Sequence, residues 1–282
     1  MNGTSGGVAT TRDDGAWRAL RRQGGIFAAY FAQFLKVRLA YRVDFAIDLV
    51  ANLVQAGVQL VILAVLFARV PSLRGWTYEQ VLFIYGFSLL PLGLFNIVSI
   101  NLYRFGERYV IEGHFDRVLL RPINPLAQIM FEEFNIAGVN EIVVGIGVMA
   151  HAGARLGLAW SPLDLALLLL LAASSALVFT GIFLGLTSVS FWFEDRMGLA
   201  PPVYNVIRFS RYPMTIFSPL VRLFLTFVLP FAWVAFYPAT WFVGSPEVRR
   251  LALLTPLVGT AVFGLAYVIW SRGVRRYAST GS

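Results

Sequence analysis

The chain has 282 residues, 58% of them hydrophobic and only 13% charged, with a mean hydropathy of +0.70. A soluble domain rarely reaches such values, so the fold class expected is an all-α integral membrane protein. Cysteine is absent, which excludes disulfides and thiolate chemistry; with two distant histidines, His114 and His151, a metal site would have to rest on carboxylates, and neither a metal nor another bound cofactor is expected. The formal charge of +8 is read against membrane topology, where Lys and Arg collect on the cytoplasmic side, and no nucleic acid is expected as a partner.

Each membrane span needs about 20 mainly apolar residues. Residues 1–25 are rich in Gly, Thr and Arg, lack the apolar core of a signal peptide, and read as a mobile cytoplasmic tail. Over 26–42, Phe27, Tyr30, Phe31 and Phe34 recur at helical spacing with Lys36 opposite. That pattern predicts an amphipathic helix in the interface plane, the alternative being the first cytoplasmic turns of span one. Span one is expected over 43–68, with Asp44 and Asp48 in its first turns. Span two covers 81–103, where Pro91 and Gly93 mark a kink and Asn96, Ser99 and Asn101 make the second half polar and therefore protein-facing.

The stretch 105–125, FGERYVIEGHFDRVLLRPINP, interrupts two apolar segments with Arg108, Arg117, Arg121, Glu107, Glu112, Asp116 and His114, so it belongs at the membrane surface. Gly113 weakens any helix begun at Glu107, and Pro122 and Pro125 end one. A short helix from His114 to Leu120 is the expectation.

Span three, 126–150, contains Glu132, Glu133, Asn135, Asn140 and Glu141. An ionised carboxylate at the bilayer centre costs about 2.5 kcal/mol or more, so these groups must face the bundle or water. On one continuous helix Glu133 and Asn140 share a face, and Glu141 lies about 80° round from Glu133. Glu132 and Glu133 either pair with cytoplasmic arginines or belong to a pathway. Glu141, deeper, is either a pathway or coupling residue or a buried structural hydrogen-bonder. The candidate pathway set is Asn96, Glu133, Asn140 and Glu141.

Span four covers 163–193, where the AASSA run and the pair Gly181 and Gly185 permit close packing. Residues 197–219 hold Arg208, Arg211 and four prolines, and 220–243 is apolar but interrupted by Pro230 and Pro238. Either 220–243 is an ordinary span five, or span five starts near Pro202 and the proline-broken segment folds back as a re-entrant hairpin that protein must bury. Arg211, Pro213, Pro230 and Pro238 mark this region, 213–243. Span six covers 251–270, with Arg272, Arg275 and Arg276 beyond it and a tail at 277–282. With the N-terminus inside, fifteen basic residues fall on the cytoplasmic side and five outside, with Arg208, Arg211 and Arg222 unassigned. The asymmetry favours six spans, both termini inside, and a cytoplasmic 105–125.

A phosphate-binding loop of the G-x-x-x-x-G-K-[ST] type needs a lysine after glycine, and the only lysine, Lys36, follows Leu35. ATP hydrolysis would have to come from another subunit. The pair Glu132 and Glu133 resembles the glutamates of intramembrane CAAX-processing enzymes, but Ala137 stands where that motif has arginine. An H-E-x-x-H motif is missing, and the G-x-S-x-G string at 3–7 falls in the Gly-rich tail, not in a nucleophile turn. An enzyme is therefore not expected, whereas Glu141 keeps a secondary transporter or channel open.

EGHFDRVLLRPINPL at 112–126, RYPMTIF at 211–217 and LPFAWVAFYPATWFVG at 229–244 resemble the ABC-2 family permeases, a family formerly treated as a domain of unknown function. The resemblance covers about 27–276 and implies a six-span, type V exporter-like permease. That permease has an interfacial helix before the first span, a cytoplasmic coupling helix between spans two and three, and re-entrant elements between spans five and six. It implies partners too: a separate ATP-binding subunit in two copies that holds ATP and Mg, and a second related permease or a second copy of this chain, all within a bacterial inner membrane. Carried onto this sequence, the ATPase-coupling residues are Glu112, His114, Phe115, Asp116, Arg117, Val118, Leu119 and Arg121. Phe115, Val118 and Leu119 are expected to insert into the ATPase, with Asp116, Arg117 and Arg121 pairing at the rim. The resemblance does not name a substrate; an amphiphilic or hydrophobic one is expected.

Overall fold

The computed structural model describes residues 42–135, 137–193 and 200–277. The tail at 1–25, the interfacial helix expected at 26–42 (except Arg42), the side chains of Asp44 and Asp48, the charged cluster at 194–196 and the tail beyond Tyr277 lie outside the described residues.

The described chain is helical. Helix α1 (Arg42–Arg69) runs to a tight turn, and α2 (Tyr78–Ser99) begins where Thr77 and Gln80 cap each other's backbone in a capping box. α2 continues through Pro91 and passes into a tighter turn, Ile100–Arg104. A wide-turn segment, Gly106–Ile111, and a left-handed Gly113 (φ 70°) then lead into α3 (His114–Leu119). Gly113 can adopt that backbone because it has no Cβ, which separates α3 from the turns before it. Asn124 caps α4 (Pro125–Met130), the helix stops at Phe131, and α5 (Ala137–Arg155) begins as a separate element. Span three is thus not continuous from residue 126. Its membrane-crossing helix begins at Ala137, so the expected shared face of Glu133 and Asn140 does not exist.

Helix α6 (Pro162–Ser188) opens with the capping box Ser161 and Asp164, with Pro162 at its first position, and extends through Val189–Phe191. Short helices α7 (Ala200–Val206), its tight continuation Ile207–Arg211, and α8 (Pro219–Leu223) precede α9 (Phe236–Val243), α10 (Pro246–Arg249) and α11 (Thr255–Arg276). Among the described residues five helical stretches are long and apolar enough to cross a membrane. A sixth is added if Pro219–Val228 and Phe231–Val243, bent by 76°, count as one. The bend sits at Leu229 and Pro230, whereas Pro238 occupies the first turn of α9, where its missing N–H breaks no helix bond.

Backbones approach closely along two seams. In α2 and α5, Gly86 and Gly93 face Gly145 and Gly138: a Cβ on Gly93 would lie 2.4 Å from the Gly138 carbonyl oxygen, and one on Gly145 2.7 Å from that of Gly86. In α6 and α11, a Cβ on Gly181 would lie 2.8 Å from the Phe263 nitrogen and one on Gly259 2.7 Å from the Ser174 carbonyl. Without a hydrophobic drive between helices in lipid, such small-residue seams are what allow extensive van der Waals contact. Between the two pairs, Phe95, Phe179 and Phe183 form a buried knot with centroids 4.3–5.0 Å apart, and Phe231 packs on Phe179 at 5.9 Å.

The two ends of the bundle are built differently. At one end Phe105, Phe115, Phe191, Trp270 and Tyr277 interlock edge to face, tying α3 to the ends of α2, α6 and α11. At the opposite end the bent arms cover the bundle: Trp76 donates to Thr215 Oγ1 (2.9 Å), Gln80 to the Val243 carbonyl (3.0 Å), and Trp160 packs with Phe83 and Phe242. In the second arm Phe231, Ala232, Val234 and Ala235 are wholly buried, whereas Leu220, Phe227 and Val228 of the first arm are exposed.

Candidate functional site

Four helical stripes enclose a cavity of about 310 Å³. α1 contributes Asn52, Gln55 and Gln59, α2 Tyr85, Leu89, Leu92 and Asn96, α5 Asn140, Glu141 and Val144, and the α7 segment Tyr204, Ile207, Arg208 and Arg211. Residues recur three or four apart along each stripe, the repeat that keeps side chains on one helix face, and the adjacent pairs Asn140 with Glu141 and Ile207 with Arg208 widen it. From Tyr85 to Asn96 the cavity runs about 16 Å along α2, at 1.5 Å per residue.

Its polar groups are held in place rather than loose. Asn135 accepts from the Ala137 amide (3.0 Å) through its side chain and so caps the start of α5. That start sets the phase of Asn140 and Glu141. Across the glycine seam, Asn96 Nδ2 donates to Glu141 Oε2 at 2.7 Å, and Tyr204 donates to Asn96 Oδ1 at 3.4 Å. The Arg211 guanidinium lies over the Tyr85 ring, 5.6 Å from its centroid.

A second polar assembly clamps the break between α4 and α5. Arg108 pairs with Glu133 at 2.6 Å and lies 3.7 Å from Glu132, the Tyr109 hydroxyl donates to Glu132, and Asn101 Nδ2 donates to the carbonyls of Ile129 (2.9 Å) and Glu133 (3.1 Å). The hydrogen bond to Glu133 raises the Arg108 pKa, and burial, then the bond to Glu132, raises that of Tyr109. Arg108 therefore stays charged and Tyr109 stays a donor at any working pH. The clamp joins Gly106–Ile111, just before α3, to a break whose far side carries the cavity residues Asn135 and Ala137.

The family described as ABC-2 family transporter protein matches residues 53–281. The chain belongs to the ABC-2 transporter family. It is the membrane permease subunit of an ABC transporter, a class that associates with an ABC ATP-binding subunit. Comparisons with curated proteins and with solved structures give no match.

In this ABC-2 permease three of the four expected pathway residues, Asn96, Asn140 and Glu141, line one cavity. Glu133 does not. It lies outside the helix, 58% exposed at its side chain and bonded to Arg108, because α5 begins only after it. Arg211, expected to mark the re-entrant region, lines the cavity too, whereas Pro213, Pro230 and Pro238 belong to the cover at the opposite end. The stripe of Asn52, Gln55 and Gln59 and the tyrosines Tyr85 and Tyr204 escaped sequence reasoning, although polar residues at i, i+3 and i+7 in an apolar span were a legible signal.

Helix α3 occupies nearly the range expected, but its faces are assigned differently. Phe115 (0% exposed) and Val118 (3%) are buried in the permease's own aromatic cluster, so they cannot insert into another protein. The apolar groups that point outward are Leu119 (42%) and Leu120 (83%), flanked by exposed Arg117 and Arg121. Glu112 and His114 lie 3.7 Å apart, an ion pair when His114 is protonated. Tyr277, packed on Phe115, has its phenol pushed up to about 12 by burial, with the neighbouring Asp116 carboxylate adding to the effect.

Proposed function

We propose that this permease is the membrane half of an ATP-driven exporter for an amphiphilic or hydrophobic substrate, and that the cavity of Asn96, Asn140, Glu141 and Arg211 belongs to the substrate route. The observation that carries the reading is the continuous connection from α3 through the Arg108 and Tyr109 clamp to the cavity wall. A push on the surface segment would move α3 as a rigid body with the ends of α2, α6 and α11, because Phe115 is locked among them. The same push would reach Asn135 and the start of α5 through the clamped break. Two discrete packings of this end would then present the cavity alternately to the two membrane faces.

The reading assigns 105–125 as the coupling segment on the cytoplasmic side, with both termini inside a bacterial inner membrane. Two ATP-binding subunits would carry ATP and Mg, contacting Leu119, Leu120, Arg117 and Arg121. The bent arms would be a re-entrant element in the outer half of the bilayer, a reading supported by the buried backbone of the second arm. The stripe Ile47, Val50, Val54, Val58, Val61 and Val65 on α1, exposed by 51–62%, calls for lipid or a second permease to cover it.

The test is the double variant L119D/L120D in vesicles containing the permease and its ATP-binding subunit. Membrane insertion and yield should be unchanged, while ATP-driven transport should be lost and ATPase activity uncoupled from substrate. Wild-type transport in that variant would remove α3 as the coupling contact. A secondary transporter is the competing reading, favoured by the membrane-embedded Glu141. Ion-gradient-driven transport by the purified chain alone would establish it instead.

A further inference from the structure

Among the described residues, the charges that line the cavity do not balance. Its lining includes two arginines, Arg208 and Arg211, and one carboxylate, Glu141. Glu141 is already engaged by Asn96. Among the described residues neither arginine has a carboxylate oxygen within 4.0 Å, and neither donates a hydrogen bond; Arg211 lies over the face of Tyr85 and within electrostatic reach of Glu141, without a direct ion pair. Two guanidinium groups thus bring their N–H donors to one cavity with no acceptor assigned to them. Their spacing makes them a pair: Ile207–Arg211 is a tight three-residue-per-turn helix, in which positions i and i+3 eclipse. Arg208 is exposed and Arg211 half-buried, so their donors are open to a ligand entering the cavity, and charged groups that face a cavity within a membrane bundle ordinarily mark a substrate path.

We propose that the cavity takes an anionic amphiphile. Its headgroup, a phosphate, sulfonate or carboxylate, is held between Arg208 and Arg211, matching the fork geometry of guanidinium on a planar or tetrahedral anion. The apolar chain lies along Leu89, Leu92, Val144 and Ile207, which line the same space. The amide side chains of Gln55, Gln59 and Asn140 supply neutral hydrogen bonds to the rest of the headgroup. A lipophilic cation, by contrast, would meet two like charges and a carboxylate already bonded. The inference rests on reading the cavity as part of the substrate route and adds the sign of the substrate's charge.

Binding is measured on the purified permease in a neutral maltoside detergent by native mass spectrometry, titrating dodecyl phosphate, dodecyltrimethylammonium and inorganic phosphate. Dodecyl phosphate should bind at least about tenfold more tightly than either of the others. R208Q/R211Q should lose at least about tenfold in dodecyl phosphate affinity, and R208Q alone, which alters only an exposed side chain, should lose part of it. R272Q, outside the cavity, should bind as the wild type does. Equal or tighter binding of the cation, unchanged affinity in R208Q/R211Q, or inorganic phosphate binding as tightly as dodecyl phosphate would each overturn the proposal. Because no ATP-binding subunit is needed, the two readings fail separately. Selective binding without ATP-driven transport sinks the exporter reading, and transport without anionic selectivity sinks this one.

Discussion

The substitution Gly138→Ala tests the glycine seam on which the site depends. The added Cβ would lie 2.4 Å from the Gly93 carbonyl oxygen, 2.8 Å from Ile97 Cγ1 and 3.0 Å from the Ile97 nitrogen. Two of those atoms are backbone and cannot rotate away, so α2 and α5 must separate by about 1 Å to restore ordinary contact, forfeiting up to half of each local dispersion well. Overpacking of this kind costs about 1–3 kcal/mol, against a gain of about 1 kcal/mol from replacing glycine in a helix. The same separation would stretch the 2.7 Å bond from Asn96 to Glu141 beyond hydrogen-bonding range, a further loss of about 1 kcal/mol. The expected net effect is a destabilisation of about 1–3 kcal/mol with reduced transport. Gly147→Ala is the control: it lies in the same helix with nothing within 4 Å of the added Cβ, so it should be neutral or stabilising by up to about 1 kcal/mol. Thermal unfolding in detergent, followed by the surviving monodisperse fraction, compares the two. A Gly138→Ala midpoint equal to or above that of Gly147→Ala would refute the close seam.

Two further outcomes are expected. Phe115→Ala should destabilise the permease by about 3–5 kcal/mol, because the ring is fully buried against Phe105, Phe191, Trp270 and Tyr277; wild-type thermal stability would show that α3 is not anchored there. Glu141→Gln keeps an acceptor for Asn96 but removes the charge, so stability should hold while transport falls by about tenfold, equivalent to about 1.4 kcal/mol in the barrier. Normal transport in that variant would restrict Glu141 to a structural hydrogen bond.

Much of the bundle was legible because lipid imposes a simple rule on sequence: a helix must be long and apolar enough to satisfy its backbone without water. α1, α2, α6 and α11 fall close to the expected spans. Gly113 and the two prolines likewise announced a short helix near His114, since each acts on the backbone locally. Span three failed at its start. Nothing in the apolar pattern distinguishes one helix over 126–150 from two, because the break is held by Arg108, Tyr109 and Asn101, more than twenty residues away.

Sequence alone therefore determined the membrane class, most span positions, the absence of an ATP-binding loop and the family, all properties read from composition or from contiguous residues. Tertiary structure decided which face of each helix is occupied. Phe115 turned inward because four other aromatic rings converge on it, Glu133 left the site because its helix had not yet begun, and Arg211 entered it by stacking on Tyr85. The cavity exists only where four non-contiguous stripes meet, and a linear pattern carries the phase of each stripe but not the partner it faces.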